Sequence, residues 1–147
     1  MKKEQIFEDV YFSLGSNLGQ REDNLRAAIE KMCVAFGCEY SRVSSFYYSK
    51  AAGFKGEDFV NCVVEFHLKD SPEEILEKCK KIEKDMGREE MVEYDASGRR
   101  IYHNRVIDID ILLYGNHSLN EPDLIIPHPM MKERDFVMVP LMEIIKD

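Results

Sequence analysis

The stretch that decides the fold is RVIDIDILLYGN, residues 105–116. β-Branched and aliphatic side chains dominate it and Gly115-Asn116 follows them, a pattern that predicts a β-strand. Because side chains alternate along a strand, two sets of residues are predicted to lie on opposite faces of a sheet. One set is Ile107, Ile109, Ile111 and Leu113, and the other is Asp108, Asp110, Leu112 and Tyr114.

Asp108 and Asp110 point the same way in this strand and lie about 7 Å apart along it. Two carboxylates on a half-buried sheet repel each other and lose hydration, and Mg²⁺, which prefers carboxylates together with phosphate oxygens, removes both difficulties. The alternative is a solvated strand face with two ordinary surface charges. Arg105 and the arginines before it favour the metal hypothesis, because a metal–phosphate site needs cations as well as carboxylates.

Length and composition restrict the class of protein. The 147 residues predict one domain, residues 1–147, and the net charge of −8 argues against a general nucleic-acid or membrane-surface binder. The polar N-terminus and the short apolar runs carry no secretory or transmembrane signal, so we expect a cytoplasmic protein. The cysteines lack metal-type spacing and are predicted to be reduced thiols; they are Cys33, Cys38, Cys62 and Cys79.

The periodicity of the chain predicts an α+β fold. Strands are expected at residues 10–14, 40–48, 59–68 and 105–114, and helices at 25–36 and 71–86. This βαββαβ order is that of a ferredoxin-like antiparallel sheet with helices on one face, which leaves the face that carries the aspartates free for ligands. A C-terminal extension follows, with an extended segment at 122–129, a helical turn at 130–134 and a terminal helix at 136–145.

Four further features have two interpretations each. Residues 88–104 form a long segment without periodicity, either a basic lid or a solvated insertion. The glycines of residues 15–19 indicate a tight turn rather than a phosphate cradle. Asn61 either reads the edge of a heterocycle or is a solvated strand residue, and His128, between two prolines, is either a functional side chain or an ordinary one. Glu83 is placed off the buried stripe of the second helix.

The assembled motifs resemble the 6-hydroxymethyl-7,8-dihydropterin pyrophosphokinase family of folate biosynthesis. The resemblance runs from about residue 11 to residue 143. It rests on SLGSNLG (13–19), VSSFYYS (43–49), FVNCVVEF (59–66), IEKDMGR (82–88), RVIDIDILLYGN (105–116) and IIPHPMMKERDFVMVPL (125–141).

This resemblance implies transfer of the terminal diphosphate of ATP to the pterin's hydroxymethyl group, with release of AMP. It implies two Mg²⁺ ions on Asp108 and Asp110. We expect a monomer whose partners are small-molecule substrates, with no nucleic acid and no membrane. The residues implied to act in catalysis are Arg88, Arg105, Asp108 and Asp110. Those implied to contact ATP are Glu83, Arg88, Arg105, Ile111, His128 and Arg134. Those implied to contact the pterin are Ser49, Ala52, Phe59, Asn61, Asp108 and Phe136.

Two other functions remain open from the residues. A two-metal nucleotidyltransferase would also use strand aspartates, but it would release pyrophosphate instead of AMP. A non-catalytic binding module would need neither the paired aspartates nor Arg105.

Overall fold

The computed structural model describes residues 6–50, 58–87, 93–94, 96–98, 100–101 and 106–145. The elements in chain order are β1 (Glu8–Ser16), α1 (Arg21–Phe36), β2 (Arg42–Val43), β3 (Tyr47–Ser49), β4 (Phe59–Leu68), α2 (Pro72–Asp85), β5 (Glu93–Tyr94), β6 (Arg100–Ile101), β7 (Asp108–Tyr114), β8 (Leu119–Glu121), β9 (Leu124–Ile126), a 3₁₀ turn (Met131–Glu133) and α3 (Asp135–Ile144).

The main sheet has five strands. Four of them follow the order β2–β4–β1–β7, and the fifth, β3, pairs with β4 along the same edge as β2. Every pairing within it is antiparallel. The long central strands β1 and β4 are in register from Glu8–Leu68 to Ser16–Val60, and β7 forms an edge. This arrangement confirms the predicted ferredoxin-like α+β fold.

One face of the sheet, here called the inner face, packs against α1 and α2. Strand residues two apart in sequence supply its core, because side chains alternate across the pleat. The largest fully buried side chains on this face are Phe12, Leu14 and Phe66, and Phe36 of α1 packs against both phenylalanines. The inner face therefore holds the main hydrophobic core of the described residues.

The sequence predicts that α1 ends at Gly37 and that α2 begins after Ser71, and both are confirmed. Helix α1 begins at Arg21, however, four residues before the predicted residue 25. Gly37 terminates α1 in the left-handed conformation, with φ 72°, a region that glycine enters without steric cost. Ser71 caps α2, where its hydroxyl accepts the Glu74 N–H and the Glu74 carboxylate accepts the Ser71 N–H. This reciprocal capping box fixes the start of α2 beside the edge strand.

The opposite face, here called the outer face, is only partly open. Helix α3 packs across β4 and β3 and buries a second apolar cluster, so the expectation of a fully free face is wrong. That cluster contains Tyr11, Val63, Leu112, Met131, Val137, Leu141 and Ile144. Arg42 holds the end of α3 by donating to the Ile144 carbonyl at 2.9 Å.

Strand β7 departs from simple alternation near its end. Tyr11 pairs with Leu113 but the next residue of β1 pairs with Ile111, so Leu112 is an extra residue, a β-bulge. After the bulge the faces exchange: Leu113 packs on the outer cluster and Tyr114 on the inner one. The prediction that Leu113 shares a face with Ile111 is therefore wrong, as is the outer placement of Tyr114.

Three segments contain structure that periodicity did not predict. The strand expected at 40–48 is two short strands, β2 and β3. The irregular segment 88–104 contains the β5–β6 hairpin, in which Tyr94 pairs with Arg100, and the extended segment 122–129 contains β9, which pairs with β8. No helix in the described part of the chain is long and apolar enough to cross a membrane.

Candidate active site

A row of residues crosses the outer face from β4 through β1 to β7. In the antiparallel registers Asn61 pairs with Gly15, and Gly15 pairs in turn with Asp108. With strands about 4.8 Å apart, the Cα atoms of Asn61 and Asp108 lie about 10 Å from each other across the glycine. The row therefore forms a shallow floor with an amide at one end and a carboxylate at the other.

Gly15 allows Asn61 to lie flat on this floor. A Cβ atom at Gly15 would lie 2.5 Å from Asn61 Nδ2, a separation that Cβ atoms do not adopt. The nearest ring atom of Phe59 would be 3.7 Å away. Gly15 belongs to β1, so the expected tight turn begins after it, and its role in the strand is to leave room for the amide.

Asn61 itself is 5% exposed and its amide is only half satisfied. Nδ2 donates to the Leu14 carbonyl at 3.4 Å, a long hydrogen bond. Oδ1 is the one buried side-chain nitrogen or oxygen among the described residues without a hydrogen-bond partner. Because an orphaned buried acceptor costs about 1–3 kcal/mol, its retention here points to a ligand that donates to it.

Asp108 and Asp110 both lie half-buried on the outer face, as predicted. Asp110 pairs across the strands with Ser13, which is 5% exposed and which sequence analysis did not single out. Within the described ranges no group of three or more histidine, cysteine or acidic side chains forms a closed metal site. Two carboxylates with an open side do suit Mg²⁺, which keeps several water or phosphate ligands.

Glu83 lies beneath the strand that carries the aspartates. It is 6% exposed, so its predicted place off the buried stripe is wrong. The reason is helical spacing, since Glu83 follows Cys79 by four residues and shares its face. Its Oε2 accepts the Ile109 N–H at 2.8 Å, between the two aspartates, and this charge-assisted hydrogen bond holds the outer edge of β7 in place.

His128 is fixed beside the same strand by its main chain, which donates to the Leu112 carbonyl at 3.0 Å. Its Nδ1 accepts the Met130 N–H at 3.2 Å. Burial lowers the pKa of His128, the charge of Arg134 lowers it further, and Asp108 opposes them. The imidazole is therefore within electrostatic range of both residues, and its neutral form carries the proton on Nε2, ready to donate.

Arg134 and Phe136 stand at the start of α3. The guanidinium carbon of Arg134 is 5.6 Å from the centre of the Phe136 ring, a cation–π distance. Phe59 begins β4 and pairs with Ser49 of β3. Because α3 packs across β4 and β3, the two predicted aromatic residues lie on adjoining elements of the outer face.

The remaining predicted site residues divide into two groups. Ile111 is 4% exposed and its side chain belongs to the inner core, so only its main chain can meet a ligand on the outer side. Ala52, Arg88 and Arg105 lie outside the described residues, as do Arg99 and Tyr102 of the proposed lid.

Three residues of the site were not predicted in these roles: Gly15 and Ser13 as parts of the floor, and Glu83 as a buried support. The burial of Glu83 had a local signal, its four-residue spacing from Cys79, whereas the signal for Gly15, Ser13 and the partner of Glu83 was tertiary. Each of these residues acquires its role from a cross-strand or helix–strand neighbour, and no local pattern encodes which residue that neighbour is.

Sequence similarity to known proteins shows the family of the chain. The family model described as 7,8-dihydro-6-hydroxymethylpterin-pyrophosphokinase (HPPK) matches residues 11–146. The chain is 39% identical over 137 residues to a 2-amino-4-hydroxy-6-hydroxymethyldihydropteridine pyrophosphokinase of Porphyromonas gingivalis, covering 92% of this chain and 89% of the relative.

Two further relatives extend the comparison. A protein of the same name from Aquifex aeolicus is 40% identical over 136 residues, covering 92% of this chain and 79% of the relative. The folate synthesis bifunctional protein of Arabidopsis thaliana is 39% identical over 140 residues, which are 95% of this chain and 27% of the relative. The chain therefore belongs to the 7,8-dihydro-6-hydroxymethylpterin-pyrophosphokinase family, the pyrophosphokinases of folate biosynthesis.

Proposed function

We propose that the outer face of the sheet is where this pyrophosphokinase transfers the terminal diphosphate of ATP to the hydroxymethyl group of 6-hydroxymethyl-7,8-dihydropterin, with release of AMP. The observation that carries the proposal is the buried Asn61 amide, whose Oδ1 has no partner. It lies across Gly15 from Asp108, on the same face as Asp110. A heterocycle-reading group and a pair of phosphate-site carboxylates thus share one floor.

The pterin is proposed to bind at the Asn61 end. An amide both donates and accepts, which matches the amino and oxo groups on the edge of a pterin ring. Phe59 and Phe136 are proposed to stack on its two faces, since aromatic rings supply large, sequence-independent contact area. Ser49 and Ala52 are proposed to meet the ring through their main chains.

The phosphates of ATP are proposed to bind at the other end of the floor. His128 would donate through Nε2, and Arg134 would supply a positive charge beside it. Arg88 and Arg105 are proposed to stabilise the transferring group, because charge develops on its oxygens during reaction and guanidinium groups match their geometry.

Asp108 and Asp110 are proposed to hold two Mg²⁺ ions. The donor set fits: two half-buried carboxylates on one face, beside the proposed phosphate contacts and without a closed cage. When bound, the ions would neutralise phosphate charge and help to align the reacting oxygens. The protein's own contribution is to keep the two carboxylates parallel. The hydrogen bond from the Ile109 N–H to Glu83, which lies between the two aspartates in the strand, supports this arrangement.

The nucleoside is proposed to lie along the edge of β7. Main-chain groups alternate in direction along a strand, so Ile111 directs its N–H and C=O to the same edge as Ile109. Ile111 would then bind the nucleoside through its main chain. Glu83 would contribute by holding that edge, since its Oε2 accepts the Ile109 N–H.

Product analysis tests the proposed reaction. Purified protein with ATP, Mg²⁺ and the hydroxymethyl dihydropterin should form AMP and pterin diphosphate in equal amounts, and none without Mg²⁺ or without pterin. Release of pyrophosphate instead would indicate a nucleotidyltransferase, and tight pterin binding without turnover would indicate a binding module. Each of those two results would contradict the proposal.

Three broader expectations stay predictions from the sequence: one domain over residues 1–147, a monomer, and a cytoplasmic location. Light scattering of the purified chain measures the oligomeric state directly. A dimer whose activity falls on dilution would contradict the monomer.

A further inference from the structure

The C-terminus of α1 brings two cysteines together. The Cys38 N–H donates to the Cys33 carbonyl at 3.1 Å, and the Gly37 N–H contacts the carbonyls of Cys33 and Val34 at 2.9 and 3.3 Å. With Gly37 left-handed, this is a Schellman motif, in which the residue after the glycine folds back over the last helical turn. The two positions whose side chains frequently make contact in such a motif are here Cys33 and Cys38.

The geometry suits a covalent bond between them. The path from the Cys33 Cα atom through its carbonyl group, the 3.1 Å hydrogen bond and the Cys38 nitrogen to the Cys38 Cα atom limits the separation of the two Cα atoms to about 7 Å. The bends at the carbonyl and the amide shorten it into the range of about 4.4–6.8 Å that a disulfide spans. Other cysteines cannot compete for either partner, because Cys62 and Cys79 are buried in the inner core while Cys38 is exposed and Cys33 partly exposed.

We propose that Cys33 and Cys38 are an oxidisable pair that forms a disulfide across the C-terminal cap of α1. The reaction is thiol–disulfide exchange with a small disulfide such as oxidised glutathione. The Cys38 thiolate attacks it and releases one reduced thiol, and the Cys33 thiolate then attacks the mixed disulfide and releases the second. Two protein thiols are oxidised and one small disulfide is reduced to two thiols.

The order of attack follows from exposure and charge. Cys38 is the more exposed of the two residues, so we expect its thiol to meet the oxidant first. Burial raises the pKa of Cys38, and the charges of Cys33, Asp70 and Glu39 raise it further. Burial also raises the pKa of Cys33. Both thiols are thus mostly protonated at neutral pH, so the pair is a slow oxidisable site and not a catalytic dithiol.

Peptide mapping tests the proposal directly. The native chain is equilibrated with reduced and oxidised glutathione, quenched in acid, alkylated and digested with trypsin. Cleavage after Lys31 and Arg42 places both cysteines in one peptide, residues 32–42. That peptide should lose the mass of two hydrogen atoms and take up no alkyl group, while Cys62 and Cys79 become alkylated in full.

The folded and urea-unfolded chains should differ in this equilibrium. The cap holds the sulfurs together, so the ratio of disulfide to dithiol at a fixed glutathione ratio should be at least about tenfold higher in the folded chain. By linkage the disulfide then raises folding stability by the same factor, about 1.4 kcal/mol. An equal or lower ratio in the folded chain, or stable mixed disulfides with glutathione, would overturn the proposal.

A matched pair of variants distinguishes the effect of the helix cap on disulfide formation from the effect of the short sequence separation of the two cysteines. A Cβ atom added at Gly37 would meet nothing within 4 Å, so the main constraint on a substitution there is the left-handed φ. Gly37→Asn, which tolerates the left-handed region, should oxidise like the native chain, and Gly37→Val, which resists it, should lose the tenfold advantage. Equal oxidation of the two, with both folded by circular dichroism, would show that the cap is irrelevant and the proposal wrong.

Discussion

The two faces of the main sheet differ in chemical character, although alternate residues of the same strands supply both. On the inner face Phe12, Leu14 and Ile109 are buried under two helices and belong to the main hydrophobic core. On the outer face the residues next to them in sequence are Ser13, Gly15 and Asp108, which leave polar atoms and space. The inner face supplies most of the buried apolar area, whereas the outer face carries polar side chains and, at Asn61 Oδ1, one buried acceptor among the described residues without a partner.

The outer face is itself divided along the strands. Towards the start of β1, α3 covers Tyr11, Val63 and Leu112. Towards its end, Asn61, Gly15 and Asp108 form the candidate floor. The C-terminal helix thus leaves the Asn61 end of this face for the proposed ligand, and Phe136 and Arg134 stand at the start of that helix.

The largest effect is expected on turnover, from substitutions of the outer-face aspartates that flank an inner-face residue. Asp108→Ala and Asp110→Ala should lower AMP formation by at least about a thousandfold, the scale of a lost electrostatic contact in a transition state. Folding stability without Mg²⁺ should be maintained or rise slightly, because a like-charge repulsion is removed. Steady-state turnover and thermal unfolding check both, and near-normal turnover in both variants would remove the metal-site assignment.

The matched change on the inner face is Ile109→Ala, one residue from each aspartate. It creates a cavity under the helices and should cost about 2–5 kcal/mol of folding stability. Turnover per folded molecule should change little, because the Ile109 N–H can still donate to Glu83. Urea denaturation and turnover measured where the variant is folded test this, and a thousandfold loss of turnover would show that the faces are not separable.

A smaller effect is expected at the middle of the floor. Gly15→Ala should push Asn61 aside and weaken pterin binding by about 1–3 kcal/mol, as Asn61→Ala should, while ATP affinity stays unchanged. The double variant should bind about as weakly as either single one, since both act through the same amide. Calorimetry with each ligand checks this, and additive losses would mean that Gly15 acts on something else.

The smallest effect concerns His128 and pH. Its folded-state pKa lies below the ordinary value of 6.5, so the unfolded chain binds the proton more readily. Stability therefore falls as pH drops below about 6.5 and is unaffected by this group above that value. Between pH 7 and pH 5 the folding stability of His128→Gln should fall less than that of the native chain. Near pH 8 the difference in stability between the two chains should not depend on pH. Identical pH profiles would contradict the assigned shift.

Much of the architecture was predictable because it rests on local pattern. Period-two alternation located β1, β4 and β7, and helical spacing with the Ser71 cap and Gly37 terminator located α1 and α2. The same alternation placed Asp108 and Asp110 together. The site roles of Asn61 and His128 came from the family resemblance, since neither residue is distinctive in its local sequence.

The rest depended on partners that are distant in the chain. The sequence alone determined which residues could alternate and where helices begin and end, because those preferences act within a few residues. Only the tertiary structure decided that Leu112 bulges against β1, that Glu83 is buried against Ile109, that Gly15 makes room for Asn61, and that α3 covers part of the outer face. Each of these follows from strand register and packing, which are set by the contacts between elements and not by any one of them.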